Sequence, residues 1–552
     1  MASQSVTNPT PVVEIATKPF DDQSPGTSGL RKKVERFAIP TYVENYVQAI
    51  FDSVPELDGG TLVLGGDGRF FVEEVVQTIL RMAAANGVAK ILVGQNGLLS
   101  TPAASHMIRL KGATAGIILS ASHNPGGPKG DFGIKLNMGN GGAASESVTA
   151  RIFERSKALS VYRTIEAEAI DLSALGTTTL LNTVIEVVDP VSDYADLMEQ
   201  QFDFELIREK VSQGLSLRFD AMHAVTGPYA LEIFENRLGF AKGSVVNAVP
   251  LPDFGGGHPD PNPSHAVALM EEMYGPSAPD FGAASDGDGD RNLIVGRNAY
   301  VAPSDSLAVL AANATLVPAF KDGLTGVARS MPTSSAADKV AEALGFGCYV
   351  APTGWKFFCN LLDADMVGIC GEESAGTGGN HVREKDGLWA VLFWLNILAV
   401  TGKSVDEIMQ EHWKRFGRVY YARHDFEGVE SEVANALMSD LTARLPALEG
   451  SRTAGVGVRS AKVFDYHDPT DGSVSANQGI SIEFVSGARL VVRLSGTGTS
   501  GATVRVYLEQ SETDPDRLDL DPAEALIPMV AAYEELLDPE TSIGLSAPTG
   551  YA

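Results

Sequence analysis

Short apolar runs alternate with longer amphipathic stretches along most of the chain. Leu62 to Leu64 reads as a strand, and Val72 to Ala85 repeats its apolar residues at helical spacing. Ala89 to Val93 reads as a strand again. The texture returns in "SLRFDAM" (Ser216 to Met222) followed by a helical "YALEIFENRLGF", and in the strand-like "FGAAS" (Phe281 to Ser285). It returns once more in strand-like Gly326 to Arg329, helical Ala336 to Leu344, and strand-like Tyr349 to Ala351 and Met366 to Cys370. A helix is expected from about Asp386 to Val400. Strands and helices in alternation predict α/β units with mostly buried sheets.

The last part is different. "KVFDYHD", "ISIEFVSGARLVVRLSG" and "TVRVYLEQ" are dense in strand formers, with Ser486-Gly487 as a turn. One helix is expected over them, from about Pro522 to Leu537. The pattern predicts three α/β domains and a C-terminal α+β domain, divided as 1–194, 195–312, 313–420 and 421–552. The Pro- and Ser/Thr-rich start, about residues 1–15, suggests mobility.

Composition narrows the function. A net charge of −28 argues against nucleic acid and against an anionic membrane surface. Cys348, Cys359 and Cys370 match no zinc signature and no disulfide framework, so they read as reduced thiols. The start lacks a basic stretch followed by an apolar core, and the longest apolar run, Leu388 to Val400, is too short to span a bilayer. A cytoplasmic protein with no membrane insertion is expected.

Five loops carry candidate chemistry. "SASHNPGGPKGDFGIKLN" (Ser120 to Asn137) displays Ser122 and His123 after an apolar strand, on a turn with free N–H groups suited to an anion, and Lys135 follows. An ordinary polar turn is the competing reading. In "SDGDGDRN" (Ser285 to Asn292), glycines let Asp286, Asp288 and Asp290 converge, which suits a hard cation such as Mg²⁺ or Ca²⁺. An EF-hand is excluded, because its Gly would fall at Arg291 and its Glu at Arg297; a solvated acidic turn stays open. "CGEESAGTGGNHVREKDG" (Cys370 to Gly387) offers Glu372 and Ser374 to sugar hydroxyls. "RLSGTGTSGATVRVY" (Arg493 to Tyr507) combines hydroxyls, glycines and two arginines as a phosphate cradle, or is a Thr-rich hairpin. "SPGTSGLRKKV" (Ser24 to Val34) sets a basic cluster on an acidic chain.

These loops, in this order, resemble the α-D-phosphohexomutase superfamily, and within it the eukaryotic-type phosphoglucomutase branch with its parafusin-like members. "DAMHAVTGPY", "PLPDFGGGHPDPN", "ARSMPTSSA", "PTGWKFF", "REKDGLWAVL" and "FDYHDPTDGSVSANQG" extend the resemblance over nearly the whole chain. It implies four domains around a central cleft: three related α/β domains with mixed sheets and a C-terminal α+β domain. It implies an isomerase that interconverts glucose 1-phosphate and glucose 6-phosphate through a phosphoserine and glucose 1,6-bisphosphate, which serves as intermediate and activator.

The same resemblance implies residue roles. Ser122 would carry the phosphoryl group, and one Mg²⁺ per chain would sit on Asp286, Asp288 and Asp290 with the phosphorylated Ser122. Lys135 is the first candidate acid/base and His123 the second, with Arg31, Arg291 and Lys385 near the reacting centre. Asp290, Thr353, Gly354, Glu372 and Ser374 would meet the sugar. Arg493, Ser495, Thr497, Gly498, Thr499 and Arg505 would hold the phosphate that is not transferred. The partners implied are small hexose phosphates, on a monomer or weak dimer. The alternatives are a mutase for another hexose phosphate, or a structural or vesicle-associated protein with low mutase activity.

Overall fold

The computed structural model describes residues 4–5, 11–26, 28–495 and 501–551. The chain forms two compact units. One comprises residues up to 303 with 313–325 and 354–406; the other comprises 304–312, 326–353 and 407 onward.

The first unit is built on a mixed eight-stranded sheet. Thr61–Gly66 lies between Lys90–Leu98 and Ala115–Leu119 and runs parallel to both. Asp131–Met138 then pairs antiparallel with Ala115–Leu119, and Leu30–Lys33 forms the edge. Thr183–Val188, Gly176–Leu180 and Gln4–Ser5 extend the other side. Thr61–Gly66 and Ala115–Leu119 are buried almost end to end, as strands covered on both faces must be. Helix Val72–Ala85 covers the sheet with the periodicity read from sequence.

A second sheet in this unit runs Val245–Val246, Leu217–Asp220, Phe281–Ser285, Asn292–Gly296 and Ala299–Val301. It is parallel through Phe281–Ser285 and antiparallel after it. Strands Ile369–Gly371 and Thr377–Gly379 form an antiparallel pair. Helix Gly387–Thr401 is buried on every side except its end. Among the described residues no single helix is long and apolar enough to cross a membrane.

The second unit holds the parallel pair Gly326–Ser330 and Gly347–Ala351 with helix Ala336–Leu344. It also holds a seven-stranded antiparallel sheet, ordered Arg452–Thr453, Val456–Val463, Ile480–Phe484, Arg489–Ser495, Ala502–Glu512, Arg418–Val429 and Gly550–Tyr551. Ser431–Leu448 and Ile527–Leu537 contribute to the core of this sheet.

Four expectations shift. The helix expected from Pro522 to Leu537 is two helices, Pro522–Ala525 and Ile527–Leu537, with Pro528 in the first turn of the second. Proline is tolerated there and would cost a hydrogen bond in a continuous helix. "YALEIFENRLGF" begins as the α-helix Thr226–Ala230 and widens into a π-helical turn, Leu231–Arg237. The strand expected at Met366 to Cys370 is the shorter Ile369–Gly371. Part of the start is a strand: Val13–Ala16 pairs antiparallel with Val161–Thr164.

Candidate active site

Loops leaving the C-terminal ends of neighbouring parallel strands meet in one place. Thr61–Gly66 delivers Asp67 and Arg69, Lys90–Leu98 leads to Thr101, and Ala115–Leu119 delivers Ser120 and Ser122. Phe281–Ser285, from the second sheet, delivers the three aspartates.

Ser122 is buried and sits at φ +52°, in the left-handed region that a serine seldom adopts. Its surroundings fix that posture. Its N–H donates to Ser120 Oγ at 2.7 Å, and Ser120 Oγ donates to Asp67 Oδ2 at 2.6 Å. The fully buried Arg69 donates to the carbonyls of Ser122 (2.5 Å), Asn124 (3.3 Å) and Asp131 (2.9 Å). Arg69 Nε pairs with Asp67 Oδ2 at 2.8 Å, and its guanidinium lies over the Phe254 ring at 5.1 Å. Gly287 packs so tightly against the Ser122 carbonyl that any Cβ there would collide with it.

Ser122 Oγ donates to Asp286 Oδ2 at 2.7 Å. Asp286 Oδ1 accepts from the N–H groups of Asp290 and Arg291. Oxygens of Asp286, Asp288 and Asp290, all buried, lie within 4.8 Å of one another. Among the described residues Asp288 Oδ1 and Asp290 Oδ1 are buried with no hydrogen-bond partner. Orphaned carboxylate oxygens converging on one point are what a hard divalent cation requires, so the donor set fits one.

The basic residues gather on this cluster. Lys135 Nζ donates to Asp288 Oδ2, which also accepts from Thr101 Oγ1 at 2.5 Å, and Lys135 stands 3.7 Å from Asp290. Lys385 Nζ is 3.5 Å from Asp290 Oδ2 and 3.9 Å from Glu372 Oε2. Arg291 faces Asp260 at 3.5 Å. Arg31 lies opposite Gly133 on the edge strand, and its buried Nε has no hydrogen-bond partner among the described residues.

Burial and charge then sort the protons. Burial, with Asp290 and Asp288 close by, pushes the Asp286 carboxyl well above the usual range. Burial works the same way on Asp288, but Lys135 overcomes it and holds that carboxyl far below its usual value. Burial alone would lower Lys135; Asp288 and Asp290 outweigh it and keep the ammonium charged. Burial lowers His123 well below the usual imidazole range, helped by Arg291, Arg31 and Lys385, so it is neutral near pH 7.

The Glu372 loop joins the same cluster. Glu372 Oε1 accepts from the N–H of Gly354 at 3.1 Å. The Ala375 carbonyl accepts from Asn292, and Gly376 lies so close to Lys385 that a Cβ there would meet its side chain. Ser374 lies on this turn, between the strands Ile369–Gly371 and Thr377–Gly379.

The first unit therefore brings together Ser122, His123, Lys135, Arg31, Arg291, Lys385, Gly354, Glu372, Ser374 and the three aspartates. Thr353 falls in the second unit, as do Arg493, Ser495 and Arg505. There Arg493 and Arg505 are cross-strand partners on Arg489–Ser495 and Ala502–Glu512. Arg493 donates to the Gln478 carbonyl at 3.3 Å, and Arg505 faces Asp425 at 3.6 Å. Thr497, Gly498 and Thr499 lie outside the described residues.

Sequence reasoning missed Asp67, Arg69, Thr101, Ser120 and Glu384. A usable signal for the first two was present: "GGDGRF" follows an apolar strand as "SASHN" does. Glu384 is buried beside Lys385 in a pocket lined also by Lys135, Asn137, Asp290 and Trp355, and accepts from Asn137 at 2.8 Å. Burial raises its carboxyl to about 7, against the pull of Lys135 and Asn137. Between about pH 4.5 and pH 7 the folded chain keeps a proton that the unfolded chain has lost, so stability falls as pH rises through that window. Glu384→Gln is expected to raise the thermal midpoint at pH 8, through a gain of roughly 3 kcal/mol, and to leave it unchanged at pH 4.5. Equal midpoints for both proteins at pH 8 would show that the buried carboxylate carries no such cost.

The comparisons with known proteins agree with this geometry. Models of phosphoglucomutase/phosphomannomutase α/β/α domains I, II and III match residues 22–163, 192–299 and 303–416. A model of the phosphoglucomutase-1 C-terminal domain matches 418–549. The chain belongs to the phosphoglucomutase/phosphomannomutase family, the α-D-phosphohexomutases, and has its four-domain architecture. It is 55% identical to a phosphoglucomutase from Rhizobium radiobacter, over 97% of this chain and 99% of that one. It is 50% identical to one from Schizosaccharomyces pombe, over 97% and 99%. Among solved structures it is similar to the Paramecium exocytosis-sensitive phosphoprotein pp63/parafusin, a phosphoglucomutase, with TM-score 0.91, 46% identity, and 98% and 99% of the chains covered. The chain is an enzyme of the mutase type, and phosphoglucomutase activity goes with its membership.

Proposed function

We propose that Ser122 is the residue that carries the phosphoryl group in the interconversion of glucose 1-phosphate and glucose 6-phosphate. The observation that carries this reading is the Ser122 hydroxyl on Asp286, inside a buried cluster of three carboxylates ringed by Lys135, Lys385, Arg291 and Arg31.

Phospho-Ser122 gives its phosphoryl group to the free hydroxyl of either substrate. The Oγ–P bond breaks, the sugar O–P bond forms, and the hydroxyl proton leaves for a protein base. Glucose 1,6-bisphosphate then presents its other phosphate to Ser122, which takes it back while the proton returns. Lys135, kept charged by Asp288 and Asp290, is the first candidate for the acid/base, and neutral His123 the second. Arg31, Arg291 and Lys385 offset charge on the transferring group. Asp286, Asp288 and Asp290, with phospho-Ser122, would hold one Mg²⁺, which supplies Lewis-acid charge at the oxygens of the transferring group. Glu372, Ser374, Thr353 and Gly354 read the sugar, with Asp290 close to it. Arg493, Ser495, Thr497, Gly498, Thr499 and Arg505 hold the phosphate that stays.

The domains carrying these parts are assigned as 1–194, 195–312, 313–420 and 421–552. A cytoplasmic location is proposed because Cys348, Cys359 and Cys370 form no disulfide among the described residues.

The test is turnover with Mg²⁺ and a trace of glucose 1,6-bisphosphate, comparing glucose, mannose and N-acetylglucosamine 1-phosphates. The glucose ester should have the highest kcat/KM. A preference for either of the others would move the assignment to that sugar.

A further inference from the structure

A second convergence of ligating side chains lies outside the aspartate cluster, on the loop "HPDPNPSH". His258, Asp260 and His265 each place a ligand atom within 4.8 Å of the others. The proline-rich loop is pinned in this shape: the His265 N–H donates to the Asn262 carbonyl at 3.1 Å, and the Ala266 N–H to the same carbonyl at 2.8 Å. Asn262 Nδ2 donates to Asp260 Oδ2 at 2.8 Å, which orients that carboxylate. The two imidazoles lie face to face, 4.1 Å apart and 23° from parallel. Among the described residues His258 Nδ1 is buried with no hydrogen-bond partner, whereas His265 is exposed.

We propose that His258, Asp260 and His265 form a site for a first-row divalent cation such as Zn²⁺, separate from the aspartate cluster. Two imidazoles and one carboxylate are a borderline donor set, which suits Zn²⁺ and its neighbours and not Mg²⁺. The aspartate cluster offers only hard oxygens, so the two sites sort cations by chemistry. Three protein ligands leave a position for water, and the half-exposed setting leaves an entry path. A carboxylate held by Asn262 and facing Arg291 is the oriented, outer-bonded ligand that such sites use.

The test is calorimetric titration of the full-length protein with Zn²⁺ while Mg²⁺ is saturating, so that the aspartate cluster is occupied. Wild type should take up one equivalent of Zn²⁺. His265→Ala, a change at an exposed side chain, should weaken that binding more than about tenfold, and His258→Ala should do the same. Visible absorption of Co²⁺ in place of Zn²⁺ should show imidazole ligation in wild type and lose it in both variants. No Zn²⁺ uptake under saturating Mg²⁺, or equal uptake by wild type and both variants, would overturn the proposal.

Discussion

Ser122→Ala is expected to lower conversion of glucose 1-phosphate to glucose 6-phosphate by more than about 10³-fold and to leave the fold in place. The asymmetry follows from what the hydroxyl does. Among the described residues its Oγ makes a single hydrogen bond, to Asp286, so its loss removes little packing. The backbone posture belongs to Arg69, Asp67 and Ser120, which the substitution does not touch. Ser120 does not stand in for it, because its own hydroxyl is committed to Asp67. The measurement is a coupled assay beside a thermal melt, with mass spectrometry to locate the phosphoryl group after incubation with glucose 1,6-bisphosphate. A variant that turns over at the wild-type rate, or that is still phosphorylated within Ser120 to Asn124, would place the nucleophile elsewhere.

Removal of divalent cation is expected to abolish turnover, and Mg²⁺ to restore it. The three buried carboxylates repel one another, and among the described residues two of their oxygens lack a hydrogen-bond partner, so a bound cation would both satisfy them and stabilise the folded chain. At a hundredfold excess over Kd that stabilisation is about 2.7 kcal/mol, visible as a rise in thermal midpoint. Asp288→Asn should remove the rise and lower activity by more than about 10²-fold. It takes away one donor oxygen, and it leaves buried Lys135 without its nearest counter-charge. The comparison is melting curves and rates with chelator, with Mg²⁺, and with Mg²⁺ on the variant. If wild-type activity survives exhaustive chelation, the aspartates have another task.

Much of this site was legible because glycine-rich turns after apolar strands announce themselves. Asp286, Asp288 and Asp290 alternate with glycines, and Ser122 follows an uninterrupted apolar run. Their meeting was inferred from resemblance, since it depends on strands more than 150 residues apart in the sequence. Arg69 was not legible as part of the site. An arginine after a strand is ordinary until Thr61–Gly66 and Ala115–Leu119 are known to be parallel neighbours, which sets their exits side by side. Glu384 was hidden for the opposite reason: it stands in "REKDG" among residues already singled out, and only its burial distinguishes it. The division at Thr353 and Gly354 was also invisible, because one short motif supplies residues to two compact units.

The three carbonyls gathered by Arg69 mean that the serine loop has no shape of its own. Grafted onto another sheet, "SASHNPGG" would bring a hydroxyl without the posture that makes it reactive. The inheritable unit is the pair of loops from adjacent strands, together with the Phe254 ring beneath the guanidinium. A change at any of these positions would misaim the serine, and loss of the fully buried Arg69 would also leave Asp67 without its counter-charge and lower stability.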